Sequence, residues 1–194
     1  MRQQKAAEWA NRWWRNARSA DPRHAYLIAK GVRLHGLRQR DDELLVPLYT
    51  NGQLVNLQRI ALDGTKRFLS GGKVRASYSP LGTITVGRPL CVCEGWATGA
   101  TLHQDGGYTV AAAMNAGNLK AVALALRARY PNIEIIIAGD DDRQTEGNPG
   151  RTAANAAAVG AGCLVTFPEW PANAPEDLTD FNDLANWSAA HGLA

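Results

Sequence analysis

The apolar and polar positions change rhythm along this chain, and the change divides it. Over residues 3–18 the apolar positions follow a helical spacing: Trp9 and Trp13 are four apart, with Ala6, Ala10 and Ala17 on or near the same face. Asp21-Pro22 breaks that helix, and a second helix is expected over 23–30, capped by Asp21, with Pro22 at its first position and Gly31 after its end. The rhythm then shifts to strands. Leu44–Tyr49 and Gln53–Leu62 flank Asn51-Gly52, the sequence signature of a two-residue hairpin turn. Asp63-Gly64 leads to a third strand, Lys66–Leu69, and then to the loop Gly71-Gly72-Lys73.

From Ile84 onward short apolar runs alternate with helical spacings. Strands are expected over 83–86, 90–94, 109–113, 133–139 and 163–167, and helices over 97–104, 118–130, 152–159 and 182–190. The runs LCVC and IEIIIAG are continuous rather than alternating, as in parallel strands buried on both faces. The fold class is therefore α/β: a mainly parallel sheet flanked by helices, preceded by a small β-containing subdomain and N-terminal helices. The expected divisions are 1–40, basic and helical; 41–86, the small β subdomain; and 87–194, the α/β domain.

Two of these strands end in acid. Leu90–Cys93 runs into Glu94-Gly95, and Ile133–Gly139 runs into Asp140-Asp141-Asp142. In open α/β sheets, ligands bind outside the carboxyl ends of the strands. If the two strands are neighbours, Glu94, Asp140 and Asp142 converge at one edge. Clustered carboxylates do not all stay ionised without a cation, and a hard divalent ion with oxygen ligands, Mg²⁺ first or Mn²⁺, answers that need. Asp140 and Asp142 alternate and point one way; Asp141 points the other, as a supporting group or a solvated one. Gly147, Pro149 and Gly150 open a helix whose N-terminus, with Arg151, suits phosphate.

Composition adds mainly a charge asymmetry. Net charge is +3 over 194 residues, but residues 1–40 carry ten Lys/Arg against Glu8 and Asp21, and residues 91–194 carry five against twelve Asp/Glu. A basic front and an acidic rear suit a protein that grips phosphate at one end and a cation at the other; solvated faces are the plainer explanation. The Trp cluster could stack on single-stranded bases, although such clusters more often pack a helix onto its body. The three cysteines form neither a disulfide framework nor a zinc set, and Cys91 and Cys93 read as core. No apolar run reaches the roughly 18 residues of a membrane span, and no signal-peptide core is visible at the N-terminus. A cytoplasmic location is expected. No P-loop signature is present; GTKRFLSGGK fails its spacing.

The segments EGWATGATL, MNAGNL, IAGDDD and DFNDL, in this order, resemble a Toprim domain. LLVPLYTNGQLVNLQRIALDGTKRFLSGGK resembles the segment that precedes it in primases of phages, plasmids and mobile elements. The resemblance covers roughly Leu27 to Leu184. It implies a DNA primase core that makes short RNA primers on single-stranded DNA from nucleoside triphosphates, with a replicative helicase or helicase domain as a further partner. It implies that Glu94, Asp140 and Asp142 are catalytic and metal-binding. Asp180 and Asp183 of DFND would add carboxylates for a further cation, although Asp180 is equally suited to cap the last helix. Gly95, Asn115 and Gly117 would shape the pocket. Lys66 would meet nucleotide or DNA phosphates, since a Lys recurs there in the family, with Arg59 and Lys73 as weaker candidates beside Arg151. Asp141 departs from the pattern, where Asn is common. The competing functions are a Toprim nuclease, which shares the metal site but attacks with water, and a non-catalytic DNA-binding or docking module. A topoisomerase needs a further DNA-gate domain with a nucleophilic Tyr, for which 194 residues leave no room.

Overall fold

A computed structural model describes residues 2–193. Helix α1 (Arg2–Asn16) is followed by strand β1 (Arg18–Ser19), helix α2 (Ala25–Ala29) and strands β2 (Arg38–Arg40), β3 (Glu43–Thr50), β4 (Gln53–Ile60) and β5 (Lys66–Phe68). These strands make one antiparallel sheet in the order β1-β2-β3-β4-β5. The β3–β4 hairpin closes through Asn51 and Gly52, both at positive φ, as the sequence predicts.

The second sheet follows: β6 (Ser79–Leu81), β7 (Leu90–Cys93), α3 (Trp96–Gly106), β8 (Thr109–Ala112), α4 (Leu119–Arg129), β9 (Ile135–Ala138), α5 (Pro149–Ala161), β10 (Leu164–Thr166) and α6 (Phe181–Ala190). Its order is β10-β9-β7-β8-β6, parallel except for β6, which runs antiparallel to β8. The chain leaves β7 for β8 on one side and returns to β9 on the other, so the tip of β7 lies at a topological switch point.

The continuous apolar runs are buried on both faces, as parallel strands require. Leu90, Val92, Ile135 and Ile137 face α4 and α5, meeting Leu119, Val122, Leu126, Ala154, Ala157 and Ala158. The alternate residues Cys91, Cys93 and Ala138 face α3, meeting Trp96, Ala97 and Ala100. That second cluster continues through Leu44, Val46, Leu48 and Ile60 of the antiparallel sheet, so one core joins the two sheets. Polar staples reinforce the join. Asn118 is buried, its Nδ2 facing the carbonyls of Val74, Ser77 and Ala113 while its Oδ1 accepts from Ala76 N–H. Asn182 donates to Lys30 O and Thr101 Oγ1.

Three local expectations change. Residues 83–86 form no strand, and Val86 is exposed; the place beside β8 is taken by Ser79–Leu81, and β-branched residues without a ladder partner do not hold a strand. The second helix is shorter and is capped by His24, whose Nδ1 accepts from Tyr26 N–H; Asp21 instead closes the preceding turn onto Arg23 N–H. On α1 the buried contacts are the alanines. Ala10 packs with Leu45, Leu54 and Leu57, Trp13 and Trp14 are half-buried beside them, and Trp9 is exposed. All three cysteines are free. Among the described residues no helix is long and apolar enough to cross a membrane.

Candidate active site

The register of β7 and β9 brings the acids together. Cys93 pairs with Ala138, so Glu94 leaves one strand tip beside Gly139 and Asp140 at the other. Glu94 is tied at both ends. Its backbone carbonyl accepts Met114 N–H at 2.7 Å, and the nearby backbone N–H of Ala116 favours its ionised carboxylate. Asn115 and Gly117 flank that donor, so this loop acts on the site through Ala116. Gly95 has an ordinary extended backbone (φ −93°) at the start of α3, so no left-handed turn calls for glycine there.

Two glycines matter for close approach. A Cβ on Gly150 would stand 2.7 Å from Asp140 O and 2.9 Å from Asp142 Oδ2; one on Gly139 would meet Ala154 Cβ at 2.5 Å. Helix α5 can therefore press its N-terminus against the acidic strand tip. Gly150 N–H donates to Asp142 Oδ2 at 2.8 Å, and Asn148 Oδ1 accepts Asp142 N–H at 2.9 Å. The favourable end of the helix dipole thus faces a carboxylate.

Asp140 is the uncompensated member. Its Oδ1 is buried with no hydrogen-bond partner. Burial, and then the neighbouring charges of Glu94, Asp180, Asp142 and Asp183, push its carboxyl up to about 8. Glu94 is raised too, by burial first, with Asp142 and Asp180 adding to it and the Ala116 hydrogen bond and Lys66 opposing. Asp180 and Asp183 are already satisfied. Asp180 caps α6, with Oδ1 accepting Asp183 N–H and Oδ2 accepting Thr98 Oγ1–H, each at 2.9 Å. Asp183 takes Lys30 Nζ at 3.4 Å on Oδ1 and Thr179 N–H at 3.1 Å on Oδ2. The capping role that the sequence allowed for Asp180 is the one that it fills.

The cations separate by strand parity. Lys66 pairs with Ile60, whose side chain lies on the sheet face turned toward the α/β core. Its Nζ sits 5.5 Å from the centroid of the Tyr26 ring. Its pKa is lowered, by desolvation first and then Lys30, against the pull of Asp180, Glu94 and Asp140. Arg59, one residue before Ile60, points to the opposite face, where it bridges Glu43 at 3.2 Å and approaches Trp13. Lys73 lies in the loop after β5, where its carbonyl accepts Asn56 Nδ2–H. Arg151 is bound to Asp141 (Nε to Oδ1, 2.6 Å) and lies over Phe167. Lys66 therefore lies on the sheet face turned toward the α/β core, against the Tyr26 ring and without an ion pair to an acid among the described residues, whereas Arg59 and Arg151 are paired with Glu43 and Asp141.

Among the described residues no three His, Cys, Asp or Glu side chains form a ready-made cage for an ion. The donors present nevertheless suit a hard cation. They are all oxygen, one is buried and unpartnered, and Mg²⁺ characteristically binds through one or two carboxylates while keeping its water. Sequence reasoning missed Asn148, Thr98, Lys30 and Tyr26. Asn148-Pro149 before an alanine-rich run was a readable cap; the other three reach the site only through the tertiary fold.

Residues 89–189 match the Toprim domain family. Over 154 residues, 74% of this chain, the sequence is 38% identical to the DNA primase TraC of Escherichia coli; the chain spans 14% of the length of that relative. The fold is similar to the primase fragment of the bacteriophage T7 primase-helicase (TM-score 0.62, 20% identity, 92% of this chain and 76% of that one). It is also similar to a chain of a bacteriophage T7 lagging-strand DNA polymerase assembly, whose primase domains are bound to an RNA/DNA hybrid and dTTP (TM-score 0.64, 19% identity, 91% and 89%).

Proposed function

The chain belongs to the Toprim domain family, and from that premise we propose that it is the catalytic core of a DNA primase, which makes short RNA primers on single-stranded DNA. The observation that carries this reading is the acid cluster at the switch point, Glu94 beside Asp140 and Asp142 with Asp140 Oδ1 buried and unpartnered, and Lys66 of the antiparallel sheet on the face turned toward that core. A shared metal site would fit a nuclease equally well. The primase reading is favoured because the likeness to a primase fragment takes in the antiparallel sheet as well as the Toprim region, covering 92% of this chain.

Glu94, Asp140 and Asp142 are the residues proposed to hold Mg²⁺ or Mn²⁺, with Asp180 and Asp183 as supporting charge. Bound there, such an ion lowers the pKa of an attacking hydroxyl and neutralises the leaving pyrophosphate. The protein's own part is to hold these half-buried carboxylates at the strand tips, with Gly150 N–H on Asp142 and the Thr98 hydroxyl on Asp180. Lys66, on the sheet face turned toward the α/β core, is the residue proposed to meet a triphosphate. The basic front is the part proposed to grip the template through its phosphates. The name of the T7 relative makes a helicase, on the same parent chain or another, the natural further partner.

The deciding experiment supplies single-stranded DNA, labelled ribonucleoside triphosphates and Mg²⁺ or Mn²⁺. New short ribonucleotide products are expected, with the template intact. Template degradation without synthesis, across several templates and both ions, would replace this reading by the nuclease.

A further inference from the structure

Asp141, the middle of the three acids after β9, is 3% exposed. Both of its oxygens are fully engaged. Oδ1 accepts Arg151 Nε–H at 2.6 Å and Asn148 Nδ2–H at 2.7 Å; Oδ2 accepts Trp170 Nε1–H at 3.0 Å and Arg151 Nη2–H at 3.2 Å. Its backbone N–H donates to Thr179 O at 2.7 Å. A guanidinium already stands against this carboxylate, so it is not a free cation ligand.

These partners come from two separate segments. Asn148 and Arg151 belong to the start of α5, where Asn148 also holds Asp142 N–H. Trp170 and Thr179 belong to the irregular segment between β10 and α6. That segment has no ladder of its own, and it sets where Asp180 and Asp183 begin α6. Thr179 N–H in turn donates to Asp183 Oδ2. Arg143 adds a second tie, lying over Trp170 at 4.5 Å and donating to the carbonyl of Pro175.

We propose that Asp141 is a positioning residue, clamping the α5 N-terminus and the 168–179 segment to the tip of β9 so that Asp142 and the Asp180–Asp183 pair stand in register with Asp140. The proposal rests on the cation-site reading above. Asp141 acts through its neighbours and binds no ion itself. A buried carboxylate with four donors from three side chains is rigid, and outer partners of metal ligands typically govern affinity ten- to a hundred-fold.

The test uses Trp170→Phe, which removes one donor and keeps a ring over Arg143, and Asp141→Asn, whose NH₂ opposes either Arg151 or Trp170. Amide hydrogen exchange is followed at Asp141, Thr179 and Asp183 in metal-free protein, and Mn²⁺ half-saturation is read by water-proton relaxation. Both variants are expected to exchange faster at these amides and to need about ten-fold more Mn²⁺, with single-stranded DNA affinity unchanged. Unchanged exchange overturns the proposal. So does faster exchange with an unchanged Mn²⁺ half-saturation, which would leave Asp141 a purely structural role. Wild-type protein that takes up no Mn²⁺ would overturn the cation reading itself; exchange at the same amides then shows whether Asp141 holds the acids.

Discussion

At the scale of single residues, Asp140 and Asp141 are neighbours with opposite electrostatics. Asp140 is pushed up to about 8 from 3.8, by burial and then by the surrounding acids. Between those values the folded state holds a proton that the unfolded chain has released. Stability of the chelator-treated protein should therefore fall as pH rises from about 4 to about 8. Melting temperatures across that range test this: Asp140→Asn should flatten the slope, and added Mg²⁺ should raise the melting temperature more at pH 8 than at pH 5. Asp141 is held down to about 2, first by its hydrogen bond from Arg151, so its contribution is present above 3.8 and is lost as pH falls toward 2. Lys66 belongs to the same scale. If Lys66 meets phosphate as proposed, Lys66→Ala removes one charge-assisted hydrogen bond worth roughly 1.5–3 kcal/mol, so the proposed primer synthesis should drop about ten- to a hundred-fold while Mn²⁺ uptake survives.

At the scale of elements, helix α5 is built to be approached closely. Ala154, Ala157 and Ala158 pack its buried face against the sheet, and Gly150 lets its first turn touch the acids. Gly→Ala within a helix normally stabilises by about 0.4–1 kcal/mol. Gly150→Ala should do the opposite, lowering the melting temperature and weakening Mn²⁺ binding, because the new Cβ meets backbone and a carboxylate that cannot yield. Gly160→Ala in the same helix is the control. Its Cβ would meet only the end of the flexible Lys120 side chain, so it should be neutral or stabilising. A stabilised Gly150→Ala protein with wild-type Mn²⁺ affinity would show that the close approach does not shape the site.

At the scale of the whole molecule, the charge asymmetry has a direct consequence. The cations of α1 lie on its outer side while Ala10 seals the sheet face bearing Leu45, Leu54 and Leu57. Deleting the helix would uncover that face, so neutral substitutions are the cleaner probe. Replacing Lys5, Arg12 and Arg15 by Gln should weaken single-stranded DNA binding and lower the salt slope by about 0.7 for each phosphate that is no longer neutralised. An unchanged slope in filter-binding or anisotropy titrations would assign these residues to a solvated surface.

The sequence alone determined the strand tips that carry acid, the hairpin turn and most helices, because those follow from local periodicity and turn chemistry that a few adjacent residues encode. It brought Glu94 to the Asp pair only on the condition that their two strands are neighbours, and the sheet order supplied that condition. Only the tertiary structure decided which acid is uncompensated. Asp140, Asp141, Asp180 and Asp183 look alike on the chain, yet a guanidinium, an indole N–H, a lysine and the Thr98 hydroxyl from other segments reach three of them and leave Asp140 Oδ1 bare. Strand parity turned Lys66 toward the site and Arg59 away from it. Burial and hydrogen-bond supply are properties of the packed molecule, and no local pattern of residues carries them.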